Sequence, residues 1–379
     1  MDFNAQLPQM VSLLRRLVET ESPSHDKTAV DRVGAIAADE CQRRGARVKV
    51  HAQTKTGNQV EARWEESHHQ SHSSGQKNKG ILVLAHMDTV FPLGTLEKMP
   101  FHETDDKVFG PGVADMKGGI VVALTAIAAA FKNGSLASPV TALFTPDEEI
   151  KSETSRGLIE KLAADSLVVL VLEPGMEDGA VKTWRKGVGE FTVRVKGRAA
   201  HAGSDHEKGR NAIEEMAAQV LAIQKLTDYK KGTTLNVGVI KGGIASNVVP
   251  DETSIEVDMR VMQPGEAERI STAMQALKPV LDGTSILVTG GLNRPPMPYN
   301  DMIKATFEKI KTIAAKENIE LKASGTGGAS DANFVAAMGI PVLDGLGPAG
   351  GGYHSEREFI IKDSLPERTK LLAAILREW

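Results

Sequence analysis

Residues 140–144, Val-Thr-Ala-Leu-Phe, read as a buried strand that runs almost directly into three consecutive carboxylates, Asp147, Glu148 and Glu149. Few arrangements accommodate this. Each carboxylate disfavours ionisation of the next, so something cationic must offset them. Otherwise the stretch 145–149 opens the following helix, where anions sit well near the N-terminus. The stretch by itself leaves both answers open, and its neighbours in the sequence bear on the choice.

Other apolar runs repeat the pattern. Residues 81–85 and 167–172 are continuous and apolar, as in strands buried on both faces. Between them lie helical patterns at 118–131, which is Ala-rich and nearly all apolar, and at 156–164. Helices are also expected at 7–19 and 26–44, and strands at 47–53 and 59–64. Buried strands alternating with helices predict an α/β sheet covered on both sides. Past Gly179 the texture changes to strands with one wet face. Residues 190–196, 210–226, 234–240, 254–261, 265–277 and 285–289 read as strand, helix, strand, strand, helix, strand. That is the order of a ferredoxin-like unit. Helix 301–317, strand 340–343 and helix 364–377 then return to the first texture. The expected organisation is one domain in two parts, 1–185 and 294–379, around an inserted domain at 186–293.

Composition narrows the chemistry. A net charge of -4 over 379 residues gives no electrostatic case for nucleic acid or an anionic membrane. A single cysteine, Cys41, rules out an internal disulfide and a thiolate zinc cluster. Any metal site must use His, Asp and Glu, and Cys41 reads as a buried structural thiol. The first 20 residues hold no uninterrupted apolar segment, and no run approaches a membrane span. A cytoplasmic location is the expectation. His68, His69 and His72 fall in a polar stretch expected to be an exposed hairpin loop, where nothing fixes ligand geometry.

Chemistry-bearing residues recur where buried strands end, which is where ligands gather in open α/β sheets. His86 and Asp88 follow the 81–85 run two residues apart, so they share a side if the strand persists. Asp115 lies in Gly110-Pro-Gly-Val-Ala-Asp115, just before the Ala-rich helix, where a plain N-cap is the alternative. Glu173 ends the 167–172 run, and His354 follows three glycines and Tyr353. His86, Asp115, Glu149, Glu173 and His354 together make two imidazoles and three carboxylates. That set suits two zinc-like ions bridged by one carboxylate. Such a pair, ~3.5–4 Å apart, would share and acidify a water. Glu148, beside a ligand but aimed elsewhere, could then move the proton.

These motifs, in this order, resemble the M20 family of zinc exopeptidases. Val90-Phe-Pro-Leu-Gly-Thr95 and the glycines before His354 are most similar to its glutamate carboxypeptidase branch. The resemblance implies that His86, Asp115 and Glu173 hold one zinc, that Asp115 bridges, and that Glu149 and His354 complete the second. It implies Glu148 as general base, Asp88 as the acid orienting His86, and a cis peptide after Asp115. It further implies that the inserted domain is a lid and homodimer interface. There His201 is contributed across the dimer as an oxyanion donor, and Asn247 and Arg260 touch substrate. Arg294 would meet the substrate carboxylate, and Gly328 would lie in the turn that receives the terminal carboxylate. A capping role for His201 and a surface role for Arg260 are the alternatives. Two positions depart from the branch. Ala329-Ser330-Asp331 stands where Gly-Thr-Asp is common, and Met116 stands where Asp is frequent.

The function expected is hydrolysis of the amide to a C-terminal amino acid, glutamate foremost. A deacylase of N-acyl amino acids or a dipeptidase is the alternative on the same metals. A non-catalytic binding protein is disfavoured because Glu148 and the whole ligand set are present.

Overall fold

The structure, a computed structural model, describes residues 2–65 and 79–379. His68, His69 and His72 lie outside the described residues. Contacts divide the chain into two compact units. The first comprises the residues up to Trp184 with Tyr299–Gly325 and Ser330–Trp379, and the second Arg185–Pro298 with Thr326–Ala329.

The first unit is built on a six-stranded mixed sheet. Its order is Arg47–His51, Gln59–Trp64, Val140–Thr145, Gly80–His86, Ser166–Val171, Val342–Leu343. The last four strands run parallel, and the Arg47–His51 and Gln59–Trp64 strands pair antiparallel at one side. The expected strands at 81–85, 140–144 and 167–172 are adjacent at the centre. Ile81, Val140 and Val168 are all buried at one level of the sheet, as continuous apolar sequence requires.

The helix Gly118–Lys132 packs among these strands and against the C-terminal helix Ser364–Glu378. Gly119 permits that approach, because a Cβ there would lie 2.1 Å from the Leu172 carbonyl oxygen. Contrary to the expectation that no run reaches membrane length, one described helix, Val113–Lys132, has the length and apolarity of a span. Core packing accounts for it, since 83% of its apolar window is buried inside the protein. The backbone also breaks at Asp115 and Met116, so the regular helix is only 15 residues. That is about 22 Å, short of the ~30 Å of a hydrocarbon core.

The second unit holds a four-stranded antiparallel sheet in the order Thr234–Gly242, Glu252–Val261, Gly187–Lys196, Ser285–Arg294. Numbered along the chain, this is the 2-3-1-4 arrangement of a ferredoxin-like unit. Helices Ala212–Gln224 and Pro264–Gln275 cover one face, with Met216, Ile223, Ile270 and Met274 meeting Val193, Ile255 and Val257 in a separate core.

Candidate metal centre

Parallel strands bring the sequence motifs to one end of the first unit. Gly80–His86 ends on His86, Val140–Thr145 leads to Asp147–Glu149, and Ser166–Val171 leads to Glu173. The Asp147-Glu148-Glu149 puzzle resolves by division of labour. Asp147 turns away, accepting the Thr154 N–H at 2.8 Å, its hydroxyl at 2.7 Å, and the Ser155 hydroxyl. It thereby braces the Thr154-Ser155 segment just ahead of helix Arg156–Ala164, without capping the helix itself. Glu148 and Glu149 occupy a single 3-10 turn, Glu148–Ile150, and face the cluster.

His86 is fully buried. Its Nδ1–H donates to the Asp88 carbonyl at 3.0 Å. In the neutral ring that leaves Nε2 as a lone pair, and Nε2 faces Asp115 Oδ1 at 3.0 Å and Glu173 Oε1 at 3.6 Å. The other Asp115 oxygen, Oδ2, lies 3.2 Å from His354 Nε2, which is 3.3 Å from Glu149 Oε1. One carboxylate therefore stands between two imidazoles, each with a further carboxylate behind it. Two sets of donors, His86-Asp115-Glu149 and His86-Glu148-Glu173, lie within 4.8 Å of one another. Asp88 is fully buried, with Oδ1 3.4 Å from His86 Nδ1. Its carboxylate also accepts the N–H groups of Glu148 and Glu149, both at 3.2 Å. It thus ties the imidazole strand to the turn that carries both glutamates.

Electrostatics of the chain alone are lopsided. Burial and the Asp115 carboxylate raise Glu149 above the usual carboxylate range. Burial would lower His86, yet Asp115 and Asp88 outweigh it and raise its pKa well above that of free imidazole. The Asp115 and Glu149 carboxylates facing its Nε2 raise His354 to about 11. Burial works to raise Asp115, but His354 and His86 hold it far below an ordinary aspartate. Protons on the imidazoles are thus the positive charge the protein itself supplies. The donor set fits divalent cations. Oxygen and imidazole nitrogen are zinc ligands, and the His86 tautomer presents Nε2 inward. Glu149 Oε1 is buried and makes no well-formed hydrogen bond, only the 3.3 Å approach of His354 Nε2, so a cation would satisfy it. His354 keeps 51% of its side chain exposed, so the centre is open on one side. It also adopts a left-handed backbone, φ 58°, just after Gly352 at φ 72°. The peptide between Asp115 and Met116 is cis.

The remaining sequence-predicted residues lie on the second unit. His201 sits in a two-residue strand paired with Val248–Val249. Its Nδ1 accepts the N–H groups of Gly203 at 3.1 Å and Ser204 at 3.2 Å, which places the ring proton on Nε2. Asn247 is exposed, and its carbonyl accepts the Ala202 N–H at 3.0 Å. Arg260 pairs along its strand with Asp258 at 2.9 Å and reaches the Gly327 carbonyl at 3.4 Å. Arg294 is buried and donates to Asn293 Oδ1 at 3.3 Å. The Gly328 carbonyl accepts from buried Arg185 at 3.1 Å, and the same nitrogen reaches Ala329 O at 3.2 Å. Arg185 thus holds this turn through two carbonyls.

A mixed sheet that gathers imidazoles and carboxylates near its central strand ends makes a candidate metal centre. The chain belongs to peptidase family M20/M25/M40, whose family model matches residues 82–378. It is 30% identical over 388 residues to carboxypeptidase G2 of Pseudomonas sp. (strain RS-16), covering 98% of this chain and 89% of that protein. It is 30% identical over 320 residues to succinyl-diaminopimelate desuccinylase of Dechloromonas aromatica, covering 79% of this chain and 83% of that protein. Among solved structures it is similar to YXEP of Bacillus subtilis, described as a dinuclear metal binding peptidase from the M20 family. That match has a TM-score of 0.67 at 14% identity and covers 99% of each chain.

Proposed function

We propose that this peptidase is a dinuclear zinc carboxypeptidase. It hydrolyses the amide bond to a C-terminal amino acid, glutamate first, in small peptides or N-acyl amino acids. The carrying observation is Asp115, whose two oxygens lie 3.0 Å from His86 Nε2 and 3.2 Å from His354 Nε2. In this reading His86, Asp115 and Glu173 hold one ion, and Asp115, Glu149 and His354 the other. When bound, the two ions supply Lewis acidity and lower the pKa of water.

The chain's own groups do the rest. Glu148, with donors to within 4.8 Å of His86 and Glu173, takes the proton of the attacking water and passes it to the departing amide nitrogen. Asp88 keeps Glu148 in register through the Glu148 N–H. Burial of His86, Asp88 and Glu173 fixes one wall of the cluster, while the open side at His354 leaves room for substrate and water to enter. On the second unit we assign substrate contacts to His201, Asn247, Arg260, Arg294 and Gly328. The Nε2–H of His201 is a donor suited to an oxyanion, and the guanidinium of Arg294 is suited to a carboxylate.

We further assign homodimer formation to the second unit. Its edge strand Thr234–Gly242 exposes Val239 and Ile240, and Ile244 and Leu221 are also exposed. An uncovered edge with apolar side chains is a pairing surface.

The preference for glutamate rests on the similarity to carboxypeptidase G2, and the similarity to a desuccinylase favours the deacylase as second reading. Purified protein assayed on N-acyl-glutamates, N-acetyl amino acids, N-succinyl amino acids and dipeptides separates the two. Glutamate release with the highest kcat/KM is expected. Faster removal of acetyl or succinyl groups from diamino acids would replace the carboxypeptidase by the deacylase.

A further inference from the structure

Glu358 plays no part in the sequence-derived ligand set, yet it is completely buried beside it. The reason lies in the break before helix Gly118–Lys132. Asp115, at φ -113° and ψ 90°, and Met116 leave helical geometry, so the turn preceding them cannot satisfy its own N–H groups by helix bonds. Gly112 is left-handed at φ 72°, and a Cβ on it would lie 2.5 Å from the Thr89 side chain. The turn is therefore tightly placed but short of acceptors.

Glu358 supplies them. Oε1 accepts the N–H of Ala114 at 2.8 Å and of Asp115 at 3.0 Å, and Oε2 accepts that of Gly112 at 3.3 Å. The residue also closes the turn that begins at the other imidazole. The Glu358 N–H donates to Ser355 O at 3.2 Å, and the Ser355 N–H to Gly352 O at 3.1 Å, on either side of His354. One side chain thus joins the turn carrying His354 to the turn carrying Asp115, and the side chains of those residues meet at 3.2 Å.

We propose that Glu358 is a positioning residue that presets the separation of Asp115 and His354, and so the spacing at which the two ions are held. This rests on the proposed reading of Asp115 and His354 as ligands. Outer-shell partners of metal ligands typically carry a 10–100-fold effect on metal affinity or activity. Burial and the Asp115 carboxylate push Glu358 up to about 8, while its three N–H donors pull the other way. In either protonation state Oε1 accepts from Ala114 and Asp115.

The test uses the full-length protein and zinc in competition with a chromophoric chelator, together with kcat and KM. Glu358→Ala removes all three acceptor bonds. Glu358→Gln keeps Oε1 but sets an amide donor against the Gly112 N–H. Expected for Glu358→Ala is at least tenfold weaker binding of one zinc and a ten- to hundredfold fall in kcat, with KM changed less than threefold. Glu358→Gln should fall in between, and it keeps the test decisive if the alanine variant does not fold. Parent-like zinc affinity and kcat in Glu358→Gln would overturn the proposal. So would a lower melting temperature of the metal-free variant with both zinc affinities intact, since that is a purely structural role. Failure of the underlying reading shows separately, as a parent protein that does not bind two zinc ions.

Discussion

Two glutamates with enclosed side chains, one in each unit, receive opposite treatment. Glu266 of the second unit accepts from Arg269 at 2.7 Å, Lys231 at 2.9 Å and the Thr233 hydroxyl at 2.9 Å. The Arg269 guanidinium and these neighbours hold its pKa down at about 2. Nearby Glu215 is served just as fully, by the N–H groups of Val280 and Leu281 and by Gln219. The Glu149 side chain of the first unit is as enclosed, yet its pKa is raised, and its Oε1 meets His354 Nε2 at 3.3 Å without a well-formed hydrogen bond. Where an acid serves only the fold, the chain supplies its donors, charged or neutral. Around Glu149 it concentrates acids instead, a local cost of the kind carried at sites meant for something else.

The largest effect expected from this contrast is catalytic. Glu148→Ala should lower kcat by 10²–10⁴-fold, the usual reach of a positioned base, while zinc content stays at two per chain. Elemental analysis beside kinetics checks it. If metal is lost along with activity, Glu148 belongs among the ligands and the division of roles within the 148–149 turn is wrong.

Next in size is metal removal. Dialysis against a chelator should abolish hydrolysis, and zinc should restore it. Added zinc at a hundredfold excess over its Kd should stabilise the first unit by ~2.7 kcal/mol. A melting curve indifferent to zinc would place Glu149 with Glu266 as a purely structural acid and erase the contrast.

Much of this was legible in the sequence because the signals were local. Residues 59–64 and 156–164 are the observed elements Gln59–Trp64 and Arg156–Ala164, and the central strands were found by apolar continuity alone. His86, Asp115, Glu149 and Glu173 each lay at or near the end of such a run or ahead of one, and His354 followed a glycine-rich loop, so their convergence could be anticipated. Other features depend on the folded path. Val181–Arg185 and Ala323–Thr326 are strands without a clear alternation to betray them. Asp147 could not be told from Glu148, because only the direction of the turn sends it to Thr154 and Ser155. Glu358 sits in Ser-Glu-Arg-Glu-Phe, which reads as exposed and polar. Its burial arises because a helix breaks more than two hundred residues earlier and leaves three N–H groups in need of an acceptor.

A paired substitution sharpens the comparison further, with effects of one or two kcal/mol. In the metal-free protein Glu149→Gln should leave stability unchanged or raise it by ~0.5–2 kcal/mol, since it removes repulsion from Asp115. Glu266→Gln should lower stability by about 1–3 kcal/mol, because it strips charge from hydrogen bonds to Arg269 and Lys231. Urea midpoints of the two variants at pH 7 decide the matter. Equal losses would mean that Glu149 too is satisfied by the chain.

The smallest effect is the pH dependence of that second loss. The folded pKa of Glu266 is about 2, depressed from 4.5. An acid with a depressed folded pKa stabilises the native state above its unfolded pKa, because the unfolded chain binds the proton first. The contribution of Glu266 is therefore complete at pH 7, begins to decline near pH 4.5, and is gone once pH has fallen through about 2. The gap in urea midpoint between parent and Glu266→Gln should accordingly be flat from pH 7 to pH 5 and narrow steadily from there to pH 3. Background loss of other paired carboxylates affects both proteins alike and cancels in the difference. A gap that stays constant down to pH 3 would show that the Glu266 carboxylate gains nothing from Arg269 and Lys231 in the folded state. Glu266 would then no longer stand as the counterexample to Glu149.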